Sequence, residues 1–291
     1  MRKIILIAVF LAFISGIASN IIAQKENISY GKKKVSHKNI KSVFDKYGME
    51  GCIIAADLVK GETHYYDNKR CTQKYIPAST FKIANLLIGL ETGNIDSETI
   101  FKWDSVPRRL DVWNRDLGIY DAFKVSCVPC FQDLARRIGN EKMKEYLAKF
   151  RYDGMEFDES NIDMFWLQGQ SKINAISQME FVKKIYMDKL PIQKKNKAIL
   201  FKAMEDEKGK NYTLYGKTGT AEIPKSKLTK KGNDAEEIFL LWYVGFLEIP
   251  GNVYFFAINM NSKKDTPLQE LYTVRKQIVK EALTKMKILP E

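Results

Sequence analysis

Ser79 and Lys82, in the stretch "YIPASTFKIANLLIGLETG", stand three residues apart at the mouth of an apolar run. A helix should begin after Pro77-Ala78, and that spacing puts both side chains on one face of its first turn, roughly 5–6 Å apart at Cβ. A serine hydroxyl is a poor nucleophile until a base takes its proton. Histidine usually does so, but the chain has only His37 and His64, neither in recognisable triad company. Lysine can serve if its pKa falls well below the ordinary ~10.4, or if its amine is chemically changed. The apolar neighbours Phe81, Ile83, Ala84, Leu86 and Leu87 push in that direction by penalising the ammonium form. The spacing alone is a weak signal, since Ser29 and Lys32 repeat it.

Two further groups add weight. Ser126, in "SCVPCFQDLARRIG", stands where another helix should start, and Lys217-Thr218-Gly219 falls in a strand-like stretch. On an edge strand these three supply a cation, a hydroxyl and a glycine that lets a ligand approach the backbone. Ser-x-x-Lys, then a second serine on a helix, then Lys-Thr-Gly on a late strand is the order found in penicillin-recognising serine enzymes.

Over nearly the whole mature chain the sequence resembles the class D serine β-lactamases, the oxacillinases. The blocks that carry the resemblance are "FKWD" (101–104), "WNRD" (113–116), "SCVPCFQDLARRIG" (126–139), "IDMFWLQGQ" (162–170) and "YGKTGT" (215–220). Ser126-Cys127-Val128 fits that family's Ser-x-Val motif. The resemblance implies hydrolysis of β-lactams, both penicillins of the oxacillin type and some cephalosporins. It makes Ser79 the acylated nucleophile and Lys82 an N6-carboxylysine, formed with carbon dioxide, that is general base for acylation and deacylation. Val128 would keep the lysine pocket dry and the indole N–H of Trp166 would hold the carbamate. Ser126 would pass a proton to the departing nitrogen. Lys217, Thr218 and Arg275, the last placed by its position in the final helix, would hold the substrate carboxylate, with Gly219 between the binding residues. Backbone N–H groups of Ser79 and Thr220 would form an oxyanion hole. One departure is Tyr152-Asp153-Gly154, where the family commonly has Tyr-Gly-Asn. The rival readings are a penicillin-binding transpeptidase or carboxypeptidase and a β-lactam sensor domain.

The elements that must position these residues fall into three groups. "CIIAADLV" has strand composition and follows an amphipathic helix, "HKNIKSVFDKYG". A helix-dominated middle then runs to about residue 205. "NYTLYGKTGTAE", "EIFLLWYVGFLEI" and "NVYFFAINM" read as strands, the last two joined at Pro250-Gly251-Asn252, and "LYTVRKQIVKEALTKM" closes the chain as a helix. The expected fold is α/β, of α+β type: a central antiparallel sheet built from both chain ends, covered by helices, with a mainly helical inserted subdomain. The expected organisation is a signal peptide at 1–23 and one domain at 24–291, with residues 24–78 and 206–291 forming the sheet lobe and 79–205 the helical lobe.

Arg2 and Lys3 lead into an apolar run from Ile4 to Ile14 that is too short to span a bilayer, which needs about 20 residues. Such a leader predicts export to the periplasm or medium, with no membrane attachment after cleavage. The formal net charge of +12 raises nucleic acid as a partner, but the lysines are interleaved with acids, as in "NEKMKEYLAKFRYDGMEFDES". That pattern reads as solvated helix faces, so the expected partner is a small β-lactam and no nucleic acid, on a monomer or homodimer. Cys52 and Cys71 flank a hairpin-like stretch and are a candidate disulfide pair, while Cys127 and Cys130 read as buried helical thiols. No histidine has a ligand-spaced partner, so neither a metal nor a cofactor beyond carbon dioxide is expected.

Overall fold

The computed structural model describes residues 33–224, 226, 237–262 and 267–290. The leader expected at 1–23 lies outside the described residues. Strands β1 (Lys33–Ser36), β2 (Met49–Asp57) and β3 (Glu62–Tyr66) come first, with helix α1 (Lys41–Lys46) between β1 and β2. The short helix α2 (Asn68–Thr72) follows, then α3 (Lys82–Glu91), the two-residue strands β4 (Ile100–Phe101) and β5 (Leu117–Gly118), α4 (Ile119–Lys124), α5 (Val128–Ile138) and α6 (Asn140–Phe150). The chain continues through α7 (Ala175–Tyr186), α8 (Lys194–Met204), β6 (Glu205–Lys208), β7 (Thr213–Pro224), β8 (Glu237–Ile249), β9 (Asn252–Ser262) and α9 (Leu268–Lys285).

Seven strands form one sheet in the order β1-β3-β2-β9-β8-β7-β6. Its central join, β2 against β9, pairs Met49 with Ser262 and Asp57 with Tyr254, so the two chain ends meet there as expected from the sequence. The sheet is not wholly antiparallel, because β1 runs parallel to β3, with Lys33 opposite Glu62. β2 and β9 are buried along nearly their whole length. Continuous apolar runs such as "CIIAA" suit strands covered on both faces. On β8 the alternation sorts side chains between two cores. Trp242, Val244 and Phe246 face the layer that contains α3, α5, α7 and α8, while Leu241, Tyr243 and Leu247 face α1 and α9. The β8–β9 turn uses Gly251 at φ +80°, a backbone conformation glycine adopts without steric cost.

The cysteine expectations are corrected. Cys71 lies on α2, beyond the end of β3, and not on the strand across from Cys52, so the cross-strand geometry assumed for that pair does not arise. Both are buried free thiols, and the hydrogen bond with Cys52 together with burial pushes the Cys71 thiol up. The disulfide is instead Cys127–Cys130, at the start of α5.

Candidate active site

The nucleophile turn is a single 3-10 turn, Ala78–Phe81, that passes directly into α3 at Lys82. It is locked from both sides. Thr80 Oγ1 donates to Pro77 O at 2.6 Å and accepts from Gln178 Nε2 at 2.6 Å. Gln178 Oε1 accepts in turn from Tyr152 OH at 3.2 Å, so the turn is tied to α7 and to a residue two beyond the end of α6. From the next strand over, Trp242 Nε1 donates to Ile76 O at 3.0 Å.

Ser79 is 8% exposed and Lys82 is fully buried, and Lys82 Nζ donates to Ser79 Oγ at 2.9 Å. Burial pushes the pKa of this amine down to about 7. The ring of Phe131, on α5, lies 5.3 Å from Nζ. A lysine held this way has an uncharged amine available near neutrality, beside a hydroxyl whose proton it can take.

Ser126 does not open the helix as the sequence implied. It precedes Cys127, the residue that caps α5, and adopts a left-handed conformation with φ +57°. Its backbone N–H donates to Phe123 O at 3.1 Å, and Trp113 Nε1 donates to the carbonyl of the preceding Val125 at 3.0 Å. Ser126 Oγ is buried with no hydrogen-bond partner among the described residues. Trp166 is fully buried, stacked on Phe81 at 5.3 Å between ring centroids, and its Nε1 is likewise unpartnered. Two orphaned buried polar groups at one site mark positions that a bound group should satisfy.

β6 stops pairing with β7 at Tyr215, so from Gly216 onward β7 is the sheet edge. Gly219 makes a close approach there, because a Cβ on it would lie 3.2 Å from both Pro77 O and Thr80 Cγ2. Its bare backbone lets the edge lie directly against the nucleophile turn. Lys217 is buried, and burial, then Lys82 and Arg275, hold its pKa well below the usual lysine value. Its Nζ donates to Thr218 O at 3.2 Å. From α9, Arg275 Nη1 donates to Thr220 Oγ1 at 2.8 Å and Gly219 O at 3.3 Å, while its Nε has no partner among the described residues. Burial lowers its pKa to about 10, which still leaves it charged at neutral pH.

A cleft of about 460 Å³ joins these parts. Ser79, Ser126, Val128, Thr218, Thr220 and Arg275 line it, with Leu110, Trp113 and Leu167 as apolar wall. Lys82, Trp166 and Lys217 lie behind that lining. A larger depression, about 680 Å³, lies between Val43, Tyr212 and the end of α9 and includes none of the residues singled out from the sequence. Sequence reasoning missed Gln178 and Phe131, whose roles depend on which helix faces the turn. Among the described residues no group of His, Cys, Asp or Glu could hold a metal ion, and no helix is long and apolar enough to cross a membrane.

Residues 17–284 match the penicillin-binding protein transpeptidase domain family. The chain is 41% identical over 203 residues to β-lactamase OXA-10 of Pseudomonas aeruginosa, covering 69% of this chain and 73% of that one. It is 35% identical over 292 residues to β-lactamase OXA-48 of Klebsiella pneumoniae, covering both completely. Among solved structures it is similar to the class D β-lactamase YbXI from Nostoc, with a TM-score of 0.78, 31% identity, and coverage of 87% of this chain and all of that one.

Proposed function

The chain belongs to the class D β-lactamases and hydrolyses β-lactams, and on that premise we propose that Ser79 is its nucleophile and Lys82, as N6-carboxylysine, its general base. The observation that carries the reading is the Lys82 Nζ to Ser79 Oγ hydrogen bond inside a fully buried pocket. An amine must be neutral to add carbon dioxide, and burial supplies that form near pH 7. Once carboxylated, the lysine supplies a carboxylate-like base beside Ser79. The orphaned Trp166 Nε1 fits as a donor to that group.

The remaining roles follow from placement. Ser79 Oγ, relieved of its proton, attacks the lactam carbonyl. Ser126 Oγ gives a proton to the nitrogen as the C–N bond breaks, a role supported by its lack of a partner and its position in the lining of the cleft. Backbone N–H groups of Ser79 and Thr220 take the developing oxyanion. Lys217, Thr218 and Arg275 bind the substrate carboxylate by charge-assisted hydrogen bonds. Leu110, Trp113 and Leu167 suit the apolar acyl side chain of oxacillin-type penicillins. The apolar leader, beginning "MRKIILIAVF", supports export to the periplasm or medium, with residues 24–291 as a single catalytic domain.

Steady-state hydrolysis of a chromogenic cephalosporin is the test, run with and without added bicarbonate. Bicarbonate should raise the rate, and Lys82→Ala should abolish turnover. Wild-type turnover by Lys82→Ala would falsify the assignment of the base.

A further inference from the structure

We propose that the Cys127–Cys130 disulfide is an exchange site for small acidic thiols, and that its redox state sets the placement of Ser126 and hence the rate of turnover. The proposal rests on the role given to Ser126 above. The bridge closes the first turn of α5, directly after that serine. Cys127 Sγ also caps the helix, accepting the Cys130 backbone N–H at 3.2 Å. Ser126 is a non-glycine residue in a left-handed conformation, which persists only where the surroundings over-determine it. On its N-terminal side α4 holds it, through Phe123 O accepting from Ser126 N and Ala122 O accepting from Cys127 N at 2.9 Å. On its C-terminal side it is held by the turn that the bridge closes. From the same stretch, Val128 lines the cleft and Phe131 packs beside Lys82.

The sulfurs are approached from a second cavity, of about 310 Å³, which both cysteines line. Five cations line it, of which four are paired, Lys102 with Asp116, Arg108 with Asp104, Arg136 with Asp163 and Arg137 with Asp133, so its positive field rests on Arg115. Arg115 is exposed and has no ion-pair partner among the described residues. Cys127 is fully sealed, whereas Cys130 keeps 9% of its surface exposed. An anionic thiol is therefore drawn to the cavity and meets Cys130 first.

The chemistry is a two-electron exchange. An incoming thiolate attacks Cys130 Sγ, forming a mixed disulfide, and the S–S bond breaks with its electron pair on Cys127. That leaving thiolate is stabilised by the Cys130 N–H at the helix N-terminus, which favours departure in this direction. A second thiolate attacks the small-molecule sulfur of the mixed disulfide and releases Cys130 as thiolate together with the oxidised thiol. Cys52 and Cys71 are already thiols, so reduction changes one bond in the chain.

The test treats full-length mature oxidised enzyme with reduced glutathione, which carries two carboxylates, or with neutral 2-mercaptoethanol at equal thiolate concentration. Alkylation and peptide mass report reduction of Cys127 and Cys130, and a chromogenic cephalosporin reports kcat and KM. Glutathione should react about fivefold faster, an advantage that Arg115→Ala diminishes without changing turnover. The reduced enzyme should lose about tenfold in kcat with KM within about twofold, as expected when a proton donor is misplaced by a fraction of an ångström. The Cys127→Ser/Cys130→Ser variant should show the lowered kcat and no further response to thiol. Equal rates for the two thiols overturn the assignment of the cavity. Full turnover by demonstrably reduced enzyme overturns the link to Ser126. Ser126→Ala is measured in parallel, and if it matches wild type then the role of Ser126 fails, a result distinct from either.

Discussion

At the scale of residues, Lys82 is the decisive case, because burial penalises its charged form. Its folded pKa, about 7, sets a pH limit on carbon dioxide uptake. Below that value the ammonium form accumulates, so at fixed dissolved carbon dioxide the rate of reactivation should fall about tenfold per pH unit, and above it should level off. Reactivation followed from pH 5.5 to 8.5 checks this, and a profile flat through pH 7 would contradict it. Trp166 gives a second expectation. Trp166→Phe keeps an aromatic ring against Phe81 but removes the donor, and hydrogen bonds to charged groups contribute roughly 1.5–3 kcal/mol. The carbon dioxide concentration for half-maximal activity should rise about tenfold or more, read by bicarbonate titration. The closeness of Ser79 and Lys82 was legible from their spacing, because helical geometry fixes it, but only the later motifs singled that pair out from Ser29 and Lys32. The bridge between Cys127 and Cys130 was not legible. The same spacing serves thiols or a disulfide, and the choice depends on how the backbone enters α5 after the left-handed Ser126.

At the scale of elements, the β7 edge approaches the Ala78–Phe81 turn more closely than a side chain at Gly219 would comfortably allow. Gly219→Ala would set a Cβ 3.2–3.3 Å from Pro77 O, Thr80 Cγ2 and Thr80 N, two of them backbone atoms with little room to give. The strand should move away by a few tenths of an ångström, carrying Thr218 and Thr220 with it. The expected result is a fall of about tenfold in kcat/KM with about 1 kcal/mol lost from stability, since the misfit is slight and at an edge. Urea denaturation beside kinetics separates the two effects, and unchanged kcat/KM would show that the approach is not needed. The strand itself was legible, because "YGKTGT" sits in a β-rich stretch with alternating burial. Gln178 was not, since a glutamine on a helix reads as solvated. It became buried because α7 packs across the nucleophile turn, where its amide joins Tyr152 to Thr80.

At the scale of the whole molecule, the sheet joins strands from before and after the helical middle, so each group depends on the other. The strand texture at the two ends made this legible, whereas the parallel pairing of β1 was hidden, because "KKVS" has no apolar alternation and lies mostly exposed at the edge. The consequence is clearest for α9. Leu271, Ile278, Val279 and Leu283 are fully buried in the core that also holds Leu241, Tyr243 and Phe256. Burying a large apolar side chain contributes roughly 1.5–3 kcal/mol, so these four together are worth about 6–12 kcal/mol. That is comparable to the whole stability of an ordinary domain, about 5–15 kcal/mol. A chain ending at Ser262 should therefore show no cooperative thermal transition by circular dichroism. Arg275→Ala in the full chain should melt cooperatively, with its loss confined to substrate binding and seen as a raised KM. A truncated chain that melted cooperatively would mean that the opposite core is self-sufficient and that α9 serves only to deliver its arginine to the cleft.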